Sequence, residues 1–244
     1  VCCGEYNLGT SAEEHLIFNT EREVKLGFSM SQKIENQLQV SKNAEMQDRV
    51  QRIGARLTAV CERKDISYSF TVIEEESANA FALPGGYVYI FDELIEKTET
   101  DDEISAILAH EIAHIVARHS MKRLQASLGY QIVSILALVA SKDPRFKRGS
   151  DLAFDQIMRG YSREDELLAD KLSVRYLRKA GFNPEAVLSL LNKLKQLEKE
   201  APRMPLVPNY VRTHPYLPER LAAVKQELYG KLDFDDYLNR MDDE

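Results

Sequence analysis

Two histidines and a glutamate stand at a spacing that suits metal chemistry. They are His110, Glu111 and His114, in the order H-E-x-x-H. On a helix, side chains four residues apart share a face, so both imidazoles can point at one ion. Glu111 lies at the edge of that face, where its carboxylate could take a proton from water on the metal. The arrangement is typical of a zinc-dependent peptidase.

The helix that must carry these residues is strongly apolar. Thr100 to Glu103 resembles a capping box, with Thr100 as the N-cap. The apolar residues that follow, with alanines between them, are Ile104, Ile107, Leu108, Ile112, Ile115 and Val116. Such a pattern predicts a buried helix. Buried histidines and glutamates need partners, and a metal ion would supply one. The alternative is two packed or solvated histidines beside an ordinary glutamate.

A catalytic zinc site needs three protein ligands and an open position for water. The remaining histidines are His15, His119 and His214. His119 is five residues past His114, so at about 100° per residue it faces away from the ligand pair. We expect His119 at the helix surface and His15 in solvent. The third ligand is therefore expected to be a carboxylate on a second helix.

An acidic segment further along the chain offers such a carboxylate. Ser162 can cap a helix with an acidic first turn, as the helix dipole prefers. Glu166 and Asp170 are four apart and share a face, so one could bind the ion while the other accepts a hydrogen bond from a ligand histidine. Spacing alone does not choose among Glu164, Asp165, Glu166 and Asp170. An acidic, solvated first turn is the alternative.

Several ordered motifs together resemble a known family. After H-E-x-x-H comes S-R-x-x-E-x-x-A-D at residues 162–170. Residues 79–86, residues 180–184 and the T-H-P at residues 213–215, with Arg220 after it, match further family segments. The resemblance covers about residues 11–230 and is to metallopeptidase family 48, of the gluzincin type. That family includes HtpX-type proteases, CAAX prenyl endopeptidases and periplasmic BepA-type metallopeptidases.

The resemblance implies one Zn²⁺ per chain, held by His110, His114 and Glu166. In the family pattern, the position of Asp170 is the acid that supports a ligand. Zinc would lower the pKa of its water to about 7, and Glu111 would accept the proton as the water attacks.

The developing oxyanion also calls for a second electrophile, and His214 or Arg220 could serve. Arg220 is accordingly predicted to contact the substrate. Equally, His214 could bind the zinc and displace the water, which would give a latent enzyme. A turn residue without contact to the site is the third interpretation of His214.

A polypeptide substrate would need a backbone to pair with. Metallopeptidases often bind peptides by adding them to a sheet edge. Asn79, Ala80 and Phe81 precede a glycine-rich turn and correspond to the family segment before the zinc helix. We expect their backbone groups to pair with an extended substrate. The alternative is an ordinary strand and hairpin.

Composition limits the partners. The net charge of −7 argues against nucleic acid. The apolar fraction of 44% is enough for a packed core.

No segment reaches the roughly 18 apolar residues of a membrane span. The nearest, Ile132 to Ala140, is interpreted as an ordinary packed helix. Within the family that the chain resembles, these features favour the soluble periplasmic branch, and that resemblance implies a location in the bacterial periplasm or envelope.

The domain prediction has three parts. Residues 1–10 are expected to be a mobile segment, residues 11–232 a single zinc metallopeptidase domain, and residues 233–244 an acidic tail. Val1-Cys2-Cys3 resembles a processed lipoprotein start, which would tether the chain to a membrane. Two incidental thiols are the alternative. The oligomeric state is not predicted.

The predicted fold class is α+β and mostly helical: a zincin-type metallopeptidase fold with a small, partly antiparallel sheet beside the zinc helix. Helices are predicted from residue 11 to residue 40 and over residues 43–63, and strands over residues 66–73 and 87–91. The predicted function is a zinc endopeptidase of envelope protein quality control. Two alternatives are a latent or non-proteolytic, chaperone-like binder of unfolded polypeptides and a structural zinc domain with four protein ligands.

Overall fold

The computed structural model describes residues 4–7, 12–15, 19–129, 152–158, 160–200, 210 and 213–230. Three predictions lie outside the described residues: the helix at residues 132–140, the lipid attachment at Cys2 or Cys3, and the acidic tail at residues 233–244. Within the described part, no helix has both the length and the apolar character needed to cross a membrane.

The fold is α+β and mostly helical, as predicted. Its elements in chain order are β1 Gly4–Asn7, β2 Ala12–His15, α1 Thr20–Gln37, β3 Gln39–Val40, α2 Ala44–Thr58, β4 Ser69–Glu74, β5 Ala80–Leu83, β6 Tyr87–Phe91, α3 Asp92–Glu96, α4 Asp101–Val116, α5 His119–Leu128, α6 Arg163–Ala180, α7 Ala186–Glu200 and α8 Leu217–Tyr229. Residues 152–157 are also helical.

The N-terminal helix begins later than predicted. Residues 12–15 form β2, which pairs antiparallel with β1, so the predicted helix from residue 11 is wrong there. β1 itself falls in the segment that we expected to be mobile. The helix starts at Thr20, where the Asn19 side chain accepts a hydrogen bond from the Arg22 amide at 3.1 Å. Glu21 and Glu23 in the first turn suit the positive end of the helix dipole.

The main sheet has the strand order β3-β4-β6-β5. β4 and β6 run parallel, whereas β3–β4 and β5–β6 are antiparallel, which confirms a partly antiparallel sheet. A turn at residues 84–86 joins β5 to β6, as predicted. Gly86 has φ +105°, and a Cβ there would lie 2.1 Å from the backbone oxygen of Ser67, so only glycine fits.

Helix α4 lies at the centre of the core and is buried from Glu103 to Val116, as its apolar sequence predicts. It packs against α2, α6 and α7 and against the sheet. Thr100 caps it, accepting a hydrogen bond from the Glu103 amide at 3.2 Å. The Glu103 carboxylate accepts from the Glu99 amide at 2.8 Å rather than from the Thr100 amide.

The chain turns sharply after α4. Arg118 takes a left-handed conformation, with φ 55° and ψ 33°, and α5 begins at the next residue. Its guanidinium donates to the Thr20 hydroxyl at 2.9 Å and lies 3.5 Å from the Glu23 carboxylate. Glu23 also forms a buried ion pair with Arg63, which donates to a backbone oxygen in the last turn of α4 at 3.2 Å. Helix α1 therefore holds the turn in place.

Candidate metal centre

Four buried side chains converge beside α4. They are His110 and His114 from α4, Glu166 from α6 and His214 from the segment before α8, and one ligand atom of each lies within 4.8 Å of the others. Nε2 of His114 is 3.0 Å from Nε2 of His110. Nδ1 of His214 is 3.0 Å from Oε1 of Glu166 and 3.3 Å from Nε2 of His110. Side chains of these types, this close together, are what a metal centre requires.

Two helices position the ligands. His110 and His114 are one turn apart on α4, so their rings lie side by side with centroids 4.7 Å apart. Glu166 stands in the first turn of α6, whose start is fixed by a capping box. The Ser162 hydroxyl accepts from the Asp165 amide at 3.2 Å, and the Asp165 carboxylate accepts from the Ser162 amide at 3.3 Å. The predicted cap at Ser162 is confirmed.

Asp170 stands one turn after Glu166, behind the ligands. Its Oδ1 lies 2.9 Å from Nδ1 of His110. Arg220 donates to both oxygens of Asp170, at 2.7 and 2.8 Å, and to the backbone oxygen of His214 at 3.0 Å. It also forms an ion pair with Glu166 at 2.7 Å. The structure therefore places Arg220 behind the ligands, where its guanidinium is engaged on all sides, rather than on a surface facing substrate.

His119 also belongs to the site, and its predicted position at the helix surface is wrong. It is buried, with Nδ1 2.8 Å from Nδ1 of His114 and Nε2 3.3 Å from Asp165. The prediction assumed one continuous helix. The left-handed turn at Arg118 ends α4 first, so the angle of 100° per residue does not apply across it.

Two tyrosines complete the site without having been singled out from the sequence. Tyr161 stacks on His114 with ring centroids 3.7 Å apart, and its hydroxyl lies 3.0 Å from that of Ser120. The only sequence signal for Tyr161 is its place beside the predicted cap of α6. The Tyr210 ring lies 4.5 Å from His214. Its hydroxyl is buried and has no hydrogen-bond partner within the described residues.

The titratable groups respond strongly to burial and to each other. Burial raises the pKa of Glu111, although His214 and His110 oppose the rise. Burial also acts to raise the pKa of Glu166, but Arg220, His214 and His110 together outweigh it and hold this pKa well below its usual range. Burial and Arg220 lower the pKa of His110, yet Glu166 and Asp170 outweigh both and raise it to about 9.

The residues fit a divalent cation. Glu111, Glu166 and Asp170 are buried carboxylates, and Arg220 is the buried guanidinium described beside them. With all three carboxylates ionised and the imidazoles neutral, as metal ligands must be, two negative charges are left over. Buried charge must be compensated. Neither oxygen of Glu111 has a hydrogen-bond partner within the described residues. Imidazole nitrogens and a carboxylate oxygen are the donors that zinc takes in proteins.

Comparison with known proteins agrees with this chemistry. Residues 44–228 match the family described as Peptidase family M48. The chain is 30% identical over 179 residues to the mitochondrial metalloendopeptidase OMA1 of Schizosaccharomyces pombe, covering 73% of this chain and 52% of the relative. It is 26% identical over 228 residues to the beta-barrel assembly-enhancing protease of Escherichia coli, covering 90% of this chain and 46% of the relative.

The chain thus spans about half the length of these relatives. The region matched to the family includes all four converging side chains and most of the described fold. Together with the H-E-x-x-H helix, this shows that the chain belongs to peptidase family M48.

Proposed function

We propose that this chain is a zinc-dependent endopeptidase that cleaves polypeptides in protein quality control of the cell envelope. The observation that carries the proposal is the convergence of His110, His114 and Glu166 beside Glu111, whose carboxylate receives no hydrogen bond within the described residues. The relatives support it, since their names describe a metalloendopeptidase and a protease. A periplasmic location is the further part of the proposal and rests on the resemblance to the periplasmic branch.

Each of a few residues has its own role in the proposed peptide hydrolysis. His110, His114 and Glu166 would hold Zn²⁺, which supplies an activated water and a polarised scissile carbonyl when bound. Glu111 acts as the general base and then gives the proton to the leaving amine. Its raised pKa suits this role, because a base works best when its pKa approaches the working pH. Asp170 and Arg220 hold the ligands in place from behind.

His214 is proposed to close the site at rest. Its Nδ1 lies among the ligand atoms, and its Nε2 is 3.4 Å from Oε1 of Glu111. Hydrogen bonds tether the segment that carries it: the Tyr210 amide donates to the Ala78 oxygen at 3.3 Å, the Tyr161 amide donates to the Thr213 oxygen at 3.2 Å, and Arg220 donates to the His214 oxygen at 3.0 Å. Four protein ligands leave no position for water, so turnover requires His214 to withdraw.

Substrate is proposed to pair with the outer edge of β5. β5 is the last strand of the sheet, and the Phe91 amide donates to the Asn79 oxygen at 2.8 Å. In an antiparallel pair this direction alternates, so Asn79 and Phe81 face β6, whereas Ala80 and Ala82 point their backbone groups outward. The Ala80 amide is already bound by the Asn79 side chain at 2.9 Å. The Ala82 amide is the other outward donor, and because Ala82 is buried, pairing with an extended peptide requires this edge to be uncovered first.

A second candidate function follows from the same four donors. Sites with four protein ligands are typically structural, so a latent or non-proteolytic zinc protein that binds unfolded polypeptides also fits. Zinc content and casein cleavage separate the two, measured on the native chain and on Glu111→Gln. We expect both proteins to bind zinc and only the native chain to cleave. Cleavage that persists in Glu111→Gln would exclude Glu111 as the base. Zinc binding without cleavage, both in the native chain and in His214→Ala, would favour the binder.

A further inference from the structure

The two ligand imidazoles of α4 are held by different means. Nδ1 of His110 meets a carboxylate directly, at Asp170. Nδ1 of His114 meets a second imidazole, that of His119, and only then a carboxylate, at Asp165. The three side chains Asp165, His119 and His114 form a continuous line that ends at Nε2 of His114, the atom inside the ligand cluster.

This line admits one consistent assignment of protons. A metal ligand must offer its lone pair, so Nε2 of His114 carries no proton and Nδ1 carries one. Nδ1 of His114 then donates across 2.8 Å to Nδ1 of His119, which must accept. The proton of His119 is therefore on Nε2, which faces Oδ1 of Asp165 at 3.3 Å. Each group has a defined role, and Asp165 fixes the tautomer of both rings.

Asp165 links two ligands at once. Its Oδ2 accepts from the Ser162 amide and so caps α6, the helix that carries Glu166 in the next position. Its Oδ1 faces His119 and, through it, His114. Asp165 is about a quarter exposed, at 27%, whereas His119 is buried, so the line runs from the protein surface into the metal centre.

The sharp turn at Arg118 is what brings His119 into this line. A continuation of α4 would carry residue 119 to another face, whereas the left-handed residue restarts the helix and returns the ring toward His114. The turn is held by ion pairing of Arg118 with Glu23. Backbone strain of this kind persists only where the surroundings enforce it, and it gathers at functional sites.

We propose that His119 and Asp165 are positioning residues of the metal centre: they fix the ring of His114 so that its Nε2 lone pair points at the ion. This inference rests on the proposed metal centre. It assigns His119 a function beyond packing, because packing alone would need only a ring of similar size and not a nitrogen that accepts a hydrogen bond.

The test measures zinc affinity of the metal-free protein by competition with a chromophoric chelator. His119→Phe keeps the ring and removes the acceptor, and we expect zinc to bind about 10- to 100-fold more weakly. The visible absorption of the Co²⁺-loaded protein should change in band position as the orientation of His114 relaxes. Leu124→Ala is the matched control: Leu124 is buried on the same helix but packs in the cluster around α1, so this variant should unfold more easily with unchanged zinc affinity.

A second pair of variants keeps the proposal testable if His119→Phe does not fold. The amide oxygen of Asn can stand where Nδ1 of the histidine stood, whereas that of Gln stands nearer to Nε2. We therefore expect His119→Asn to retain most of the zinc affinity and His119→Gln to lose it. Equal affinity in the two variants, or native affinity in a folded His119→Phe, would overturn the role of His119.

The outcome is separate from that of the proposed function. If the native chain fails to bind zinc, the metal centre itself is wrong. If the native chain binds zinc and His119→Phe binds it equally well, only the positioning role is wrong. Asp165→Asn adds a third measurement: its single amide oxygen can accept from His119 or from the Ser162 amide but not from both, so we expect a loss of affinity that is smaller than in His119→Phe.

Discussion

Oδ1 of Asp170 lies 2.9 Å from Nδ1 of His110, and both side chains are buried. The carboxylate thereby fixes the orientation of a proposed metal ligand. Arg220 holds the carboxylate in turn through two hydrogen bonds of 2.7 and 2.8 Å. The proposed centre thus depends on a buried cation that does not itself touch the ion.

Replacing Arg220 should destabilise the folded protein. Arg220→Met leaves Asp170 and Glu166 buried without their counter-ion, so we expect the free energy of unfolding of the metal-free protein to fall by about 3–5 kcal/mol. Arg220→Lys should not restore it, because an ammonium cannot form the paired hydrogen bonds. Denaturant unfolding measures both variants.

The control for Arg220 is an exposed ion pair. Arg163 is 51% exposed and lies 3.8 Å from Glu219, and such pairs contribute at most about 1 kcal/mol. If Arg163→Met and Arg220→Met lower the free energy of unfolding by the same amount, the buried network around Arg220 adds no more stability than an exposed ion pair.

Removing His214 should open the site. In His214→Ala the three remaining ligands leave a position for water, so we expect casein cleavage to rise while one zinc per chain is retained. Cleavage rates and zinc content are measured on the same preparation. A fall in cleavage with zinc retained would instead assign His214 to stabilisation of the oxyanion, the other role predicted from the sequence.

Zinc binding should release a proton from His110. In the metal-free protein Glu166 and Asp170 raise the pKa of His110 to about 9, against an ordinary value of 6.5, so the ring is charged at neutral pH. Zinc must displace that proton, and the apparent zinc affinity should therefore rise up to about pH 9. Calorimetry in two buffers of different ionisation enthalpy counts the protons released, and an affinity that is constant between pH 7 and 9 would contradict the prediction.

The raised pKa of His110 also makes folding stability depend on pH, and stability falls with rising pH whereas zinc affinity rises. Because the pKa of His110 is higher in the folded protein, the charged ring stabilises the folded metal-free protein. This contribution is complete below about pH 6.5 and is lost as the pH rises through 9. Asp170→Asn removes one of the groups that raise the pKa of His110. We expect this variant to show less proton release on zinc binding and a weaker loss of stability between pH 6.5 and 9.

The edge of β5 offers a test of the substrate path. Ala82→Pro removes an outward backbone N–H that takes no part in pairing with β6, so no hydrogen bond of the sheet is lost. We expect a higher KM for a peptide substrate, with zinc affinity unchanged. If both KM and kcat match those of the native chain, extended peptides do not pair with this strand at Ala82.

Local signals in the sequence predicted much of the fold. The cap at Thr100, the buried face of α4, the strand at residues 87–91 and the cap of α6 at Ser162 all follow from residue type and short-range spacing. These features arise within one or two turns of chain, where propensity and capping decide the structure. The strand at residues 12–15 was not predicted, because its partner strand β1 lies in the segment that we expected to be mobile.

The parts of the site that the sequence did not predict depend on tertiary contacts. His119 reaches His114 only because Arg118 breaks the helix, and the contacts that favour this break come from α1, almost a hundred residues away. Tyr210 is brought to the site by packing of the C-terminal segment, which no spacing rule reports. Arg220 was expected at the site, but its contacts with Asp170, behind the ligand cluster, depend on the same packing. Spacing alone did not separate Glu166 from its acidic neighbours; the family resemblance did, and the packing of α6 against α4 is what brings its carboxylate to the histidines.

The most direct test of the central claim is an anomalous difference map, recorded at the zinc edge from crystals of the zinc-loaded chain. The account predicts one peak within about 2.0–2.2 Å of Nε2 of His110, Nε2 of His114 and a carboxylate oxygen of Glu166. A map without a peak at this place, or a peak that Glu166 does not reach, would contradict it.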